Sequence, residues 1–120
     1  MSEGAHIWLI PDAYIPERSS GDLPSHEAIC VLNTSPSDAR IELTFYFEDV
    51  DPLTGDVVVP AERTRHLRTH DVDAMGGVEL PKGIPFAIRV QSDVPVCVQY
   101  SRLDTSQEAL ALMTTMGYPL

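Results

Sequence analysis

Alternation of apolar and polar residues at every second position is the feature that most limits how this chain folds. In the segment Arg40–Glu48, four apolar side chains share one face of an extended strand: Ile41, Leu43, Phe45 and Phe47. Polar side chains occupy the other face. Because one face of such a strand packs on a core while the other meets solvent, the segment predicts a strand in an antiparallel sheet.

Seven further segments are strand candidates, and turn-forming residues separate them. They are His6–Ile10, Ala28–Asn33, Asp56–Val59, Glu62–Thr69, Val78–Leu80, Pro85–Gln91 and Val96–Leu103. The turn signals include residues 92–95, and an irregular loop is expected over residues 11–24. Eight short strands at this spacing predict an all-β fold, an antiparallel β-sandwich of about eight strands with a jelly-roll-like arrangement.

The C-terminal segment has a different period. Thr105 and Glu108 have the spacing of a capping box, Leu110 and Met113 lie at helical intervals, and Gly117 can end a helix. We therefore expect a short C-terminal helix of about three turns. A helix of this length is marginal alone, so it would dock on its own subunit or on a neighbouring one.

Length and charge limit the function classes. The 120 residues predict a single domain over residues 1–120. The net charge of −10, concentrated in the first half of the chain, disfavours nucleic-acid and anionic-membrane partners unless a local patch overrides it. No apolar stretch is long enough to span a bilayer. We expect a soluble cytoplasmic protein in which Cys30 and Cys97 are buried free thiols.

The densest polar segment, residues 62–70, contains three arginines and two histidines. On an extended strand, His66 and His70 are about 13 Å apart, too far to share a zinc ion, so no metal site is expected. Three interpretations remain open for this segment. It is a solvated edge strand, a nucleic-acid patch formed by Arg63–Arg68, or a face that recognises anions or hydroxyl groups through guanidinium groups.

The sequence does not support an enzymatic function. Ser25, His26 and Glu27 are adjacent, but neighbours on a strand alternate between faces and cannot form a catalytic relay. No nucleophile elbow is present, and neither cysteine has the context of a nucleophile. We therefore expect neither catalysis nor a cofactor.

Four motifs, in order along the chain, resemble the sensory rhodopsin transducer family. They are Tyr14-Ile15-Pro16, the segment from Ser25 to Asn33, Arg63–Arg68 and the long segment from Gln91 to Asp104. The resemblance extends from Trp8 to Tyr118. It implies a soluble β-sandwich with a C-terminal helix that forms a homotetramer, acts in signalling, and binds a small molecule such as a sugar. A sensory rhodopsin is the partner that it implies.

The resemblance also implies a set of ligand-binding residues. They are Trp8, Tyr14, His26, Glu27, Asn33, Arg63, His66, Arg68, Gln99, Arg102 and Asp104. Tyr100 departs from the family namesake, which has a histidine there. Aromatic rings, paired donors and carboxylates are the groups that a polyol site needs.

We expect His66, Arg68 and Arg102 to line one polar depression, with Trp8 or Tyr14 as its apolar wall. A buried guanidinium needs a paired acid, and Asp104 or Glu27 can supply one to Arg102. On this view Arg102→Ala removes ligand-dependent stabilisation and leaves the fold intact.

Overall fold

Eight strands account for the regular secondary structure of the residues that the structure describes. The computed structural model describes residues 3–17, 26–104 and 111–120. The strands are β1 (Ala5–Ala13), β2 (His26–Asn33), β3 (Ala39–Tyr46), β4 (Leu53–Val59), β5 (Arg63–Arg68), β6 (Phe86–Asp104), β7 (Ala111–Met116) and β8 (Tyr118–Pro119). The described residues contain no helix, and hence none that could cross a bilayer. The all-β prediction is confirmed.

Strand β6 connects the whole sheet. Its first half pairs with β1 and β3, and its second half pairs with β2 and β7. Strand β4 extends the sheet beyond β3, β5 extends it beyond β2, and β8 pairs with β1. Every pairing is antiparallel, and the eight strands form one open sheet. The sandwich and its jelly-roll-like arrangement are not confirmed.

The alternation that predicts β3 corresponds to the burial of its side chains. Ile41, Leu43 and Phe45 are buried, whereas Arg40 and Glu42 are exposed. The buried face joins one core that also includes Ile29, Val31, Ile88, Val90 and Val98. Fully burying a side chain of this size stabilises a fold by about 1.5–3 kcal/mol. Burial of the apolar faces of these strands therefore stabilises the sheet around one core.

Residues 92–95 do not form the predicted turn, because β6 runs through them. Opposite them the register with β1 shifts between Ala5 and Ile7, where Ala5 pairs with Val96 and Ile7 with Gln91. The His6 ring contacts the carbonyl of Ser92, Nδ1 to O, at 3.0 Å. A bulge tolerates turn-forming residues within a strand. The two predicted strands at residues 85–91 and 96–103 are therefore one, and residues 78–80 form no strand.

The predicted C-terminal helix is wrong over residues 111–116. This segment is β7, whose register places Met116 opposite Gln99 and Met113 opposite Arg102. Its main-chain hydrogen bonds are made with β6 rather than within a helix. Met113, one of the residues at helical intervals, is 59% exposed, and its neighbours Leu112 and Met116 are 72% and 59% exposed. These side chains therefore do not form the core-facing side of a helix. Residues 105–110, which the helix prediction also covered, lie outside the described part of the chain.

Candidate functional site

A fully buried carboxylate lies at the centre of a polar cluster on β2 and β6. Glu27 has 0% exposure. Its Oε1 accepts hydrogen bonds from the main-chain N–H of Tyr14, at 2.7 Å, and from the Tyr100 hydroxyl. Its Oε2 accepts the Nε–H of Arg102. The carboxylate is thus held by one cation and two further donors, the arrangement that makes burial of a charge tolerable.

The strand register explains why these residues meet. Glu27 lies opposite Arg102 in the β2–β6 pair, and Tyr100 precedes Arg102 by two positions on the same face. The Glu27 carbonyl also accepts from Thr69, at 2.9 Å from N and 3.3 Å from Oγ1. Of the two acids proposed as the partner of Arg102, Glu27 is the one that forms the ion pair. The side chain of Asp104 lies outside the described residues.

The Tyr100 hydroxyl is held in its protonated form. Burial raises the pKa of Tyr100 far above its ordinary value, and the charge and hydrogen bond of Glu27 raise it further. The hydroxyl therefore remains a donor to Glu27 at any physiological pH. Tyr100 thus helps to fix the carboxylate that in turn orients Arg102.

Arg102 lines a cavity of about 250 Å³ between β1, β6 and β7. The cavity is lined by Ile10, Pro11, Asp12, Tyr100, Arg102, Met113, Thr114, Thr115 and Met116. Its volume lies just below the roughly 300–1,000 Å³ typical of ligand pockets. A guanidinium has five N–H donors, and the Nε–H of Arg102 is donated to Glu27. The cavity thus combines a fixed cation, an acidic residue, hydroxyl groups and apolar walls.

A larger hollow of about 640 Å³ lies elsewhere, on the surface of β3, β4 and β6. Four of its polar lining residues, Arg40, Glu42, Asp56 and Gln91, are exposed side chains on the sheet surface, whereas Ser92 is buried. None belongs to the set that the family resemblance implies. We favour the smaller cavity because a buried ion pair fixes its central side chain.

His66 and Arg102 lie on opposite faces of the sheet. His66 pairs with Cys30, and Cys30 pairs with Gln99, so these three side chains share one face. Arg102 is three positions from Gln99 along β6 and therefore points to the other face. Arg68 has the parity of His66 and is exposed. The prediction of one polar depression shared by His66, Arg68 and Arg102 is wrong.

His66 and Gln99 line a separate hollow of about 330 Å³ on their own face. Cys30 and Cys97 line it too, and both are free and half-buried rather than buried. In the part of the chain that the structure describes, no three His, Cys, Asp or Glu side chains are grouped as a metal site.

The side chains of Trp8 and Asn33 are buried and hydrogen-bonded to main-chain groups. Trp8 is 5% exposed, and its Nε1–H donates to the carbonyls of Val96, at 2.9 Å, and Ala5, at 3.1 Å. Asn33 is fully buried; its amide donates to the carbonyl of Ser37 at 2.8 Å and accepts from the Ser35 main-chain N–H at 3.0 Å. Neither side chain lines the Arg102 cavity.

The remaining residues of the set are dispersed. Tyr14 contributes its main-chain N–H to Glu27, and Arg63 is exposed and donates to the carbonyl of Glu62 at 2.9 Å. The His26 ring lies 6.1 Å from that of His70. Burial, Arg68 and His26 lower the pKa of His70.

Sequence reasoning missed the β7 side of the cavity. Met113 and Thr115 lie opposite Arg102 and Tyr100, but a segment interpreted as a helix cannot be placed beside β6. The signal for a strand was the adjacent pair Thr114 and Thr115, whose branched side chains favour extended backbone.

Comparison with known proteins places the whole chain in one group. A protein-family profile described as Anabaena sensory rhodopsin transducer matches residues 3–119. The crystal structure of Thermotoga maritima 1070 has a TM-score of 0.86 and 42% sequence identity, covering 98% of this chain and 96% of that chain. The structure of the Anabaena sensory rhodopsin transducer has a TM-score of 0.74 and 38% identity, covering 83% and 89%. A search of curated proteins finds no match.

The resemblance first seen in the sequence motifs is therefore confirmed by both sequence and structure. A profile match over nearly the whole chain and two solved structures above 30% identity agree on the same family. This chain belongs to the Anabaena sensory rhodopsin transducer family.

Proposed function

We propose that this protein is a non-enzymatic signalling module that responds to a small ligand in the Arg102 cavity. The observation that carries the proposal is the Glu27–Arg102 ion pair, in which a wholly buried carboxylate fixes a guanidinium at a cavity wall. Burying a carboxylate is costly, and hydrophobic residues of similar volume often stabilise a fold as well or better. A ligand site gives that ion pair a role beyond stability.

The lining of the cavity favours a neutral polyhydroxylated ligand over a simple anion. Arg102 supplies donors, whereas Asp12 on the same cavity supplies an acceptor that repels anions. Thr115, which lies opposite Tyr100, adds a hydroxyl group, and Met113 provides apolar surface for C–H groups. Sugars and related polyols present alternating donors, acceptors and C–H faces, so we propose them as the ligand class.

Family membership supports the wider role. The Anabaena relative is named as a sensory rhodopsin transducer, and we propose that this chain likewise acts in the cytoplasm downstream of a receptor such as a sensory rhodopsin. We also propose that it assembles as a homotetramer. Support comes from the exposed apolar side chains of the C-terminal segment, residues 111–120, among them Leu112, Tyr118 and Leu120 at 72%, 65% and 66%.

Two tryptophan variants on edge strands test the ligand site. Thermal unfolding is followed with glucose, ribose, myo-inositol and glucuronate at about 10 mM, because a ligand that binds only the folded state raises the Tm. Thr115→Trp fills the Arg102 cavity, and the matched Val58→Trp fills the larger hollow on β3 and β4. At least one neutral polyol should raise the Tm of the wild type and of Val58→Trp.

The same polyol should leave the Tm of Thr115→Trp unchanged. A response that survives Thr115→Trp and disappears in Val58→Trp would assign the ligand to the larger hollow. A response to glucuronate alone would contradict the proposed ligand class.

A further inference from the structure

The outer edge of β5 combines unpaired main-chain groups with the densest positive charge of the molecule. Among the described strands, β5 pairs only with β2. Its exposed side chains include Arg63, Arg65, His66 and Arg68, on a chain whose net charge is −10. Within residues 3–17, 26–104 and 111–120, Glu27–Arg102 is the one ion pair, so no described carboxylate bridges these arginines.

The direction of the β5 main chain follows from its last contact with β2. The N–H of Thr69 donates to the Glu27 carbonyl, which lies on the β2 side. Main-chain groups of an antiparallel strand alternate between its two neighbours. Arg65 and Leu67, which share the parity of Thr69, therefore face β2. Thr64 and His66 direct both N–H and C=O towards the open edge.

A second copy of β5 is a poor occupant of this edge. Antiparallel self-pairing would place arginines of one copy opposite those of the other, and like charges across a strand pair are destabilising. A nucleic acid is also a poor occupant, because its phosphate backbone has no N–H donors for the Thr64 and His66 carbonyls.

We propose that the edge of β5 binds an extended acidic segment of a partner protein as an added strand. The segment's main chain pairs with the outward groups of Thr64 and His66, and its carboxylates meet the guanidinium groups of Arg65 and Arg68. Arg65 and Arg68 lie on opposite faces of β5, so acidic residues on both faces of the added strand find a partner. This surface is separate from the Arg102 cavity and does not depend on it.

A short synthetic peptide of alternating glutamate and valine is the probe, and a lysine–valine peptide of equal length is its control. Binding is followed through the main-chain amide signals of the ¹⁵N-labelled protein. The acidic peptide should shift the signals of Thr64 and His66 saturably, with an affinity that falls as salt rises. The lysine peptide should produce no such shifts.

Two variants separate the main-chain and charge contributions. Thr64→Pro removes an outward N–H at an edge position that tolerates proline, whereas the matched Thr64→Val keeps it. The proline variant should weaken peptide binding about tenfold or more, and the valine variant should bind like the wild type. The double variant Arg65→Gln with Arg68→Gln should weaken binding and reduce its salt dependence, and it tests the proposal even if Thr64→Pro does not fold.

Four results would overturn the proposal. They are equal binding of the two peptides, unchanged binding by Thr64→Pro, stronger binding of duplex DNA at the same residues, and dissociation of an oligomer in Thr64→Pro. The third would assign the edge to nucleic acid, and the fourth to a second copy of this chain.

Discussion

At the scale of single residues, Glu27 and Arg102 determine each other's environment. Glu27 is wholly buried, whereas 28% of the Arg102 side chain is exposed. Removing the arginine leaves a carboxylate with no cation, and removing the carboxylate leaves a cation that retains some water. The expectation that Arg102→Ala preserves the fold does not follow from this geometry. Arg102 is a residue of stability as well as of the proposed site.

We predict that Arg102→Met lowers the free energy of unfolding by about 3–5 kcal/mol, because it leaves the buried charge of Glu27 unpaired. Glu27→Gln should cost less, about 2–3 kcal/mol, since the partly hydrated guanidinium tolerates the loss better. The double variant contains no buried charge, so it should be more stable than Arg102→Met alone. Urea unfolding of the four proteins measures this coupling, and additive losses would show that the pair does not interact.

At the scale of elements, two main-chain segments approach closely where the turn after β5 meets β4. Gly76 has φ +70°, and a Cβ there would lie 2.4 Å from the main-chain nitrogen of Asp56. Gly77 has φ +91°, and a Cβ there would have no neighbour within 4 Å. The two adjacent glycines therefore separate the cost of backbone conformation from the cost of steric overlap.

Gly77→Ala should lower the free energy of unfolding by about 1–2 kcal/mol, the cost of the left-handed conformation for an L-residue. Gly76→Ala should cost about 1–3 kcal/mol more, because its neighbour is main chain that cannot rotate away. Urea unfolding of both variants gives the difference directly. Equal losses would mean that the β4 contact is not tight.

The alternation of apolar and polar residues predicted strands that have one buried and one exposed face. It failed for strands that have no face packed on the core. Strand β3 has one buried face and was predicted from its own residues. Strand β7 exposes its apolar residues, so its pattern did not indicate a sheet. Residues 92–95 have the composition of a turn, and they become part of a strand because β6 continues through them: Ser92 pairs with Ile41 of β3, and the pairing with β1 resumes at Val96.

The candidate site shows the same limit. One of the two proposed acids, Glu27, does pair with Arg102. This could be predicted because a buried guanidinium needs an acidic partner. The sequence also predicted that His66 and Arg68 share one face of their strand, because they are two positions apart. Whether His66 lies on the same face of the sheet as Arg102 depends on the registers of β5 with β2 and of β2 with β6. No local sequence pattern contains these registers.

At the scale of the whole molecule, the exposed apolar residues of β7 and β8 bear on assembly. Leu112, Met116 and Tyr118 are all more than half exposed, as is unusual for side chains of this type. We predict that light scattering gives a mass about four times the 13.2 kDa of one chain. Leu112→Glu together with Tyr118→Glu should shift the mass towards one chain. A wild-type mass of one chain in dilute solution would contradict the tetramer.

The central claim is that a polyol binds beside Arg102, in the cavity between β1, β6 and β7. The most direct measurement is the ¹⁵N spectrum, including the Arg102 Nε–H signal, during titration with the polyol that raises the Tm most. The account predicts that this signal and the amides of Met113 and Thr115 shift along one saturation curve, while that of Gln99 on the other face stays fixed. Shifts confined to residues around Arg40 and Gln91, with the Arg102 signal unchanged, would contradict it.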